Sequence, residues 1–150
     1  MSLQDWFNNG WLTKHRTSSQ EIAALLAVAD RDLSDCRTSG LSPDWQLNIA
    51  YNAALQTATA ALAASGYHAV REAHHYRVIQ SLAHTIKADG GLIALFDQFR
   101  KKRNISGYDH AGMISDQEAK EMLDLASRLR QKVEEWFYEN HPDLMEERNL

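Results

Sequence analysis

The feature that most limits the possible folds is a long alanine-rich run with helical punctuation at both ends. Residues 42–66 read SPDWQLNIAYNAALQTATAALAASG. Ser42 is a typical N-cap, Pro43 suits the first helical position, and Gly66 suits the turn after a helix. The helical pattern between them passes through Ile49, Asn52, Leu55, Ala58 and Leu62. The run therefore predicts one helix of about 20 residues.

Two further segments begin with a Ser-x-x-Glu capping box, in which Ser and Glu side chains bond each other's backbone N–H groups. The first box is Ser18 with Glu21, and the second is Ser115 with Glu118. Apolar residues then follow at helical spacing, in the first segment at Ile22, Leu25, Leu26, Ala29 and Leu33, and in the second at Met122, Leu125, Leu129, Val133 and Trp136. Each pattern predicts an amphipathic helix, and Pro142 ends the second one.

Two helices are expected between these elements. One covers about residues 68–87, with Val70, Tyr76, Ile79, Leu82 and Ile86, and stops at the sequence DGG. The other begins near Gly91 with LIALFDQFRKKR. No strand-like alternation of useful length is present. The sequence thus predicts an all-α, four- to five-helix up-and-down bundle.

The whole chain, residues 1–150, has the length of a single domain with its own core. Residues 1–17 are expected to form an N-terminal extension, in which Trp6, Phe7 and Trp11 either pack on the bundle as a short helix or form an interface. Residues 143–150 are expected to form a solvated acidic tail after the last helix.

Composition excludes several classes of protein. The formal charge of −4 and the pI of about 5.9 disfavour broad nucleic-acid coating, which depends on many basic side chains. No apolar run reaches the roughly 20 residues that span a bilayer, and the first residues do not resemble a signal peptide. The only cysteine, Cys36, is expected to be a packing residue in a reducing compartment. A soluble, cytoplasmic protein without a membrane partner is expected.

The stretch FRKKRNISGYDH is the strongest candidate for chemistry. Arg103 and His110 lie seven residues apart, about two helical turns, and so share one face if the helix continues. A histidine can take the proton from an RNA 2′-hydroxyl, and an arginine can stabilise the charge that develops on the phosphate. This chemistry requires neither a metal nor a cofactor. The alternative is a solvated charged face, in which Asp97 pairs with Arg100 and Lys101 at helical spacing.

The other histidines do not predict a metal site. His68, His75 and His84 are separated by seven and nine residues, whereas a helix that binds zinc presents its ligands four residues apart. Histidines that pack between helices are therefore the expected outcome, and no metal is predicted.

The motif RNISGYDH resembles the signature of HEPN domains, small helical bundles with an Arg-x(4–6)-His motif. YNAALQTATAALAASGY is similar to the second HEPN helix, HHYRVIQSL to the stretch after it, and VEEWFYENHPDL to the end of the last helix. The resemblance covers roughly residues 20–144.

The resemblance implies a dimer in which the Arg and His of both subunits line a shared cleft. Active HEPN domains are metal-independent endoribonucleases, and many are toxins paired with a nucleotidyltransferase-like antitoxin. By position, Arg103 would stabilise the phosphate, His110 would be the general base, and Asn104, Tyr108 and Asp109 would support them. Arg100, Lys101 and Lys102 are the candidate RNA- or phosphate-binding residues.

An alternative function stays open. Some family members carry Arg-Asn followed by Tyr-Asp without the His, and these resemble a non-catalytic group. Under this alternative the chain is a HEPN helical scaffold that binds a nucleotide, an RNA or a protein partner through Arg103.

Overall fold

The computed structural model describes residues 1–106 and 113–149. Within them lie six α-helices, two short strands and one 3₁₀ helix: α1 Leu3–Asn8, β1 Leu12–Lys14, α2 Ser19–Asp35, α3 Pro43–Ala64, β2 Tyr67–Ala69, α4 His74–Ser81, α5 Gly90–Ser106, α6 Asp116–Asn140 and the 3₁₀ helix Pro142–Asn149. The predicted all-α bundle is confirmed, with four long helices and two short ones.

The alanine-rich helix α3 lies at the centre of the bundle, packed against both α2 and α6. Buried residues occur on several of its sides, including Ala50, Tyr51, Ala54, Leu55 and Ala61. A helix that is apolar on every side must be covered on every side, which accounts for its central position. Its many alanines also let neighbouring helices approach closely.

The predicted helix starts are largely confirmed. Ser42 accepts a hydrogen bond from the N–H of Trp45, and the reciprocal box of Ser115 and Glu118 is complete. The box at Ser18 forms only in one direction: Ser18 accepts from the Glu21 N–H, but the Glu21 carboxylate bonds Thr17 and His15 instead. On α6 the buried stripe ends at Phe137, while Trp136 is only partly buried.

The helix predicted over about residues 68–87 is wrong at both ends, because α4 covers only His74–Ser81 and turns follow at residues 82–86. Residues 67–69 form β2, which pairs antiparallel with β1, and the helix α4 begins only at His74. Ala73, the residue before α4, has a left-handed conformation with φ of +52°. Strands of three residues are too short to show an alternating pattern, so pairing across 52 intervening residues decided this segment rather than periodicity.

Both chain ends pack on the bundle. Trp6 is buried and meets the rings of Trp11 and His84 edge to face, so packing is the alternative that the structure supports for the N-terminal aromatics. The 3₁₀ helix packs against α2, and Met145 is fully buried. The expectation of a solvated tail over residues 143–150 is therefore wrong at Met145, which supplies an apolar anchor that the acidic composition concealed, whereas Asp143 is exposed as expected.

Within the described part of the chain, no helix is both long enough and apolar enough to cross a membrane. Cys36 is buried and its Sγ donates to the carbonyl oxygen of Leu33 at 3.3 Å. Burial raises the pKa of its thiol, so it acts as a packing residue as expected.

Candidate phosphate-binding site

The basic candidates all lie on the last turns of α5. Asp89 caps the start of this helix by accepting a hydrogen bond from the N–H of Leu92 at 2.9 Å. The helix then runs through Arg100 and Lys101 to Arg103, which lies in its last turn. Cations at this end interact favourably with the partial negative charge of the helix C-terminus. The sequence thus places positive charge where the helix tolerates it best.

Three of these cations already have carboxylate partners. Arg100 Nε donates to Asp97 Oδ1 at 2.7 Å, Lys101 Nζ lies 3.6 Å from Asp97 Oδ2, and Lys102 forms an ion pair with Glu118. The predicted pairing of Asp97 with Arg100 and Lys101 is confirmed. The side chains of Lys101 and Lys102 are about half or more exposed, whereas Arg100 is largely buried. Exposed pairs of this kind exchange readily with solvent and contribute little to stability.

Arg103 contacts the core through Tyr51. Its guanidinium carbon lies 5.1 Å from the centroid of the Tyr51 ring, within the range of a cation–π interaction. Tyr51 belongs to α3 and is only 1% exposed. On its other side the Tyr51 hydroxyl shares a hydrogen bond of 3.2 Å with Nδ1 of His75. The structure therefore brings Arg103 near a histidine that lies outside the RNISGYDH motif.

Burial is the main influence on the protonation states of Tyr51 and His75 at neutral pH. Burial, followed by the positive charges of Arg103, His74 and Arg100, lowers the pKa of His75. Burial raises the pKa of Tyr51 to about 12. At pH 7 the imidazole of His75 is therefore neutral and the Tyr51 hydroxyl keeps its proton. A neutral imidazole can accept a proton at the ring nitrogen that does not face Tyr51.

A cavity of about 540 Å³ opens beside this group, at the beginning of α4. It is lined by Arg71, Ala73, His74, His75, Tyr76 and Arg100. Ala73 occupies the N-cap position but has no side chain that can accept from the first turn of the helix. The backbone N–H groups of that turn, together with the positive end of the helix, favour an anion. We call Tyr51, Arg103 and the residues that line this cavity the Arg–His site.

The lining of the cavity selects for negative charge. Among the residues that the structure describes, this lining has two arginines and two histidines and no carboxylate. A second cavity, of about 350 Å³ between residues 86–89 and α6, has two lysines but also three carboxylates, those of Asp89, Glu135 and Glu139. An anion would be repelled there. The Arg–His site is accordingly the better candidate for binding phosphate.

The predicted site residues have different outcomes. Arg103 and Arg100 belong to the Arg–His site, whereas Lys101 and Lys102 do not line its cavity. Asn104 lies within α5, and Tyr108, Asp109 and His110 lie outside the described residues. The roles predicted for these four stay predictions.

Sequence reasoning missed the other members of the site, which are Tyr51, Arg71, Ala73, His74, His75 and Tyr76. The spacing argument about zinc included His75, for which it favoured a packing role, and did not include His74. The sequence does contain a weak signal, because the stretch REAHHYR places two adjacent histidines between two arginines. Only the packing of α4 against α5 and α3 shows that these residues meet the end of α5.

Comparisons with protein-family models, with curated proteins and with solved structures gave no match. The resemblance to HEPN domains stays a prediction that rests on the quoted motifs.

Proposed function

We propose that the protein binds single-stranded RNA at the Arg–His site and cleaves it as a HEPN-type, metal-independent endoribonuclease. The observation that carries the binding proposal is the uncapped start of α4. It faces a cavity with Arg71, Arg100 and two histidines, to which the described parts of the chain contribute no carboxylate. Backbone N–H groups and guanidinium groups are the usual donors to phosphate oxygens. A phosphodiester fits both the charge and the polar lining of the cavity.

An exposed aromatic ring favours RNA over a free phosphate ion. Tyr76 is 36% exposed, and the guanidinium groups of Arg77 and Arg100 each lie 5.5 Å from its ring centroid. Unpaired bases stack on such rings and on guanidinium planes, and each stacked base contributes about 1–3 kcal/mol. A phosphate in the cavity and a base on Tyr76 would be neighbouring parts of one nucleotide chain.

The proposed cleavage uses the 2′-hydroxyl of the RNA as nucleophile. A histidine accepts the proton of this hydroxyl and the 2′-oxygen attacks the phosphorus. The bond to the 5′-oxygen of the next nucleotide breaks, water protonates that oxygen, and the hydroxide so formed takes the proton back from the histidine, which leaves a 2′,3′-cyclic phosphate. Arg103 stabilises the negative charge on the phosphate oxygens. His110 is the base that the motif implies, and His75 is the base that the geometry favours. In the proposal this site lies in the cleft of a cytoplasmic homodimer whose partner is a nucleotidyltransferase-like antitoxin.

A specific observation also favours the non-catalytic alternative. The Tyr51 hydroxyl keeps its proton up to high pH, since its pKa is about 12, and it can donate that proton to Nδ1 of His75. Nε2 of His75 then carries the ring proton and can donate to a phosphate but cannot act as a base. In that arrangement the site holds RNA without cutting it, unless His110 supplies the base.

The test compares binding and cleavage on matched oligonucleotides. Purified protein in excess EDTA is incubated with a labelled single-stranded RNA, the same sequence as DNA, and an RNA with one 2′-deoxy position. We expect RNA cleavage, intact DNA, and protection only at the modified position. Arg103→Gln should abolish cleavage and weaken binding, His75→Asn and His110→Ala should identify the base, and Arg128→Gln, an exposed arginine on α6, serves as the matched control.

The outcomes separate the two candidates. RNA binding that depends on Arg103 without any cleavage supports the scaffold and contradicts the endoribonuclease. Binding that is equally strong in the wild type, Arg103→Gln and Arg128→Gln would exclude the Arg–His site as the RNA site.

A further inference from the structure

Three potential metal ligands converge where the N-terminal segment meets β2. His15 follows β1, His68 is the middle residue of β2, and Glu21 lies in the first turn of α2. Thr13 is paired with His68, and the N–H of His15 donates to the carbonyl oxygen of Gly66 at 2.9 Å. This register makes His15 and His68 diagonal neighbours on one face of the ladder.

The geometry of the three side chains is compact. Nε2 of His15 lies 2.8 Å from Oε1 of Glu21, and the rings of His15 and His68 stack with centroids 3.6 Å apart. The three potential ligand atoms all lie within 4.8 Å of one another. Each residue is partly buried, so a metal ion there would be shielded on one side and reachable from the other.

We propose that His15, His68 and Glu21 form a zinc site. Two histidines and one glutamate are a donor set of zinc sites with an open fourth position, which a water molecule fills. This site uses none of the residues of the Arg–His site. It is therefore independent of the proposed RNA cleavage, which needs no metal.

Zinc requires the three side chains to rearrange. With metal–ligand bonds of about 2.0–2.2 Å and tetrahedral angles, two ligand atoms stand about 3.3 Å apart. The His15–Glu21 distance of 2.8 Å must therefore open by about 0.5 Å, which a side-chain rotation supplies. The two stacked imidazoles must also turn about their Cβ–Cγ bonds so that both ring planes point at the ion.

A neighbouring hydroxyl already orients the carboxylate. Thr17 Oγ1 donates to Oε1 of Glu21 at 2.6 Å, the same oxygen that His15 contacts. Hydrogen bonds to a ligating carboxylate fix its direction, and their loss typically weakens metal binding about 10- to 100-fold. The failure of Glu21 to complete the capping box with Ser18 follows from this arrangement, because its carboxylate is turned toward His15 and Thr17. Bound zinc would tie the N-terminal segment to α2 and β2.

The test measures metal binding directly on the full chain. Protein stripped with EDTA and then desalted is titrated with zinc by isothermal titration calorimetry and with Co²⁺ by visible absorption, which reports tetrahedral ligation. We expect one ion per chain with micromolar or tighter affinity. His68→Ala and Glu21→Gln should each lower the affinity more than about tenfold, and Thr17→Val by at least about tenfold. His84→Asn, a partly buried histidine outside the cluster, should leave it unchanged.

Two results would overturn the proposal: absence of stoichiometric zinc binding by the wild type, or affinity that is the same in wild type, His68→Ala and Glu21→Gln. If circular dichroism shows that a variant does not fold, the imidazole NMR signals of the wild type test the zinc site instead. Zinc must then shift the signals of His15 and His68 and leave that of His84 in place. RNA cleavage in excess EDTA is a separate measurement, so failure of the zinc site and failure of the proposed function are distinguishable.

Discussion

The Tyr51 hydroxyl offers the sharpest test of the packing around the Arg–His site. Tyr51→Phe removes this hydroxyl and retains the ring that faces Arg103 and Phe96. At pH 7 the variant loses the 3.2 Å hydrogen bond to His75, and a bond of this type contributes about 1 kcal/mol net. We therefore expect the free energy of unfolding of the variant to be lower by about 1 kcal/mol at neutral pH.

The difference in unfolding free energy between the wild type and Tyr51→Phe should disappear at alkaline pH. The pKa of Tyr51 is about 12 in the folded protein because of burial, against 10 for an unperturbed tyrosine. A raised folded-state pKa means that the stabilisation is complete below pH 10 and is lost as the pH rises toward 12, because the unfolded chain ionises first. Between pH 9 and pH 11 this linkage removes about 1.3 kcal/mol from the wild type and nothing from Tyr51→Phe. The two proteins should be about equally stable near pH 11.

Urea unfolding followed by tryptophan fluorescence at pH 7, 9, 10 and 11 measures both effects. Tyr138→Phe is the matched control, since Tyr138 is 44% exposed. The free energy of unfolding of Tyr138→Phe should change with pH in the same way as that of the wild type. If the wild type and Tyr51→Phe instead lose stability in parallel between pH 9 and 11, Tyr51 is not buried as described and the argument for its contact with His75 fails.

Two further predictions concern the C-terminus and the site. Met145→Ala should lower the free energy of unfolding by about 2 kcal/mol, which is the low end of the range for a fully buried methionine because this residue lies near a chain end. Urea unfolding measures the change. A decrease of less than about 0.5 kcal/mol would mean that Met145 is solvated rather than packed on the bundle. Arg103→Gln should raise the pKa of His75, because the substitution removes a positive charge that lowers this pKa. NMR titration of the His75 imidazole measures the shift. An unchanged pKa would mean that Arg103 does not lie near His75.

Local pattern was sufficient for the long helices. Capping residues and apolar spacing predicted α2, α3 and α6 because each buries a continuous stripe or, for α3, almost its whole surface. The pairing of Asp97 with Arg100 and Lys101 was also predictable, because residues three and four apart on a helix are neighbours whatever the fold around them.

Local pattern was insufficient wherever a contact joins distant parts of the chain. Nothing within residues 67–73 signals a strand, because β2 exists through its pairing with β1 more than 50 residues earlier. The burial of Met145 likewise depends on α2, and the half-formed capping box at Ser18 depends on His15. At the capping box the tertiary contact overrides a local capping preference of about 1 kcal/mol.

The same division applies to function. The sequence by itself determined a helical bundle and a basic helix end that carries Arg103, because periodicity and capping are properties of neighbouring residues. Only the tertiary structure brought Arg103 against Tyr51, placed His75 and Arg71 around the start of α4, and assembled His15, Glu21 and His68. These groups lie on different elements, and side chains on different elements meet only when the burial of apolar surface fixes how those elements pack.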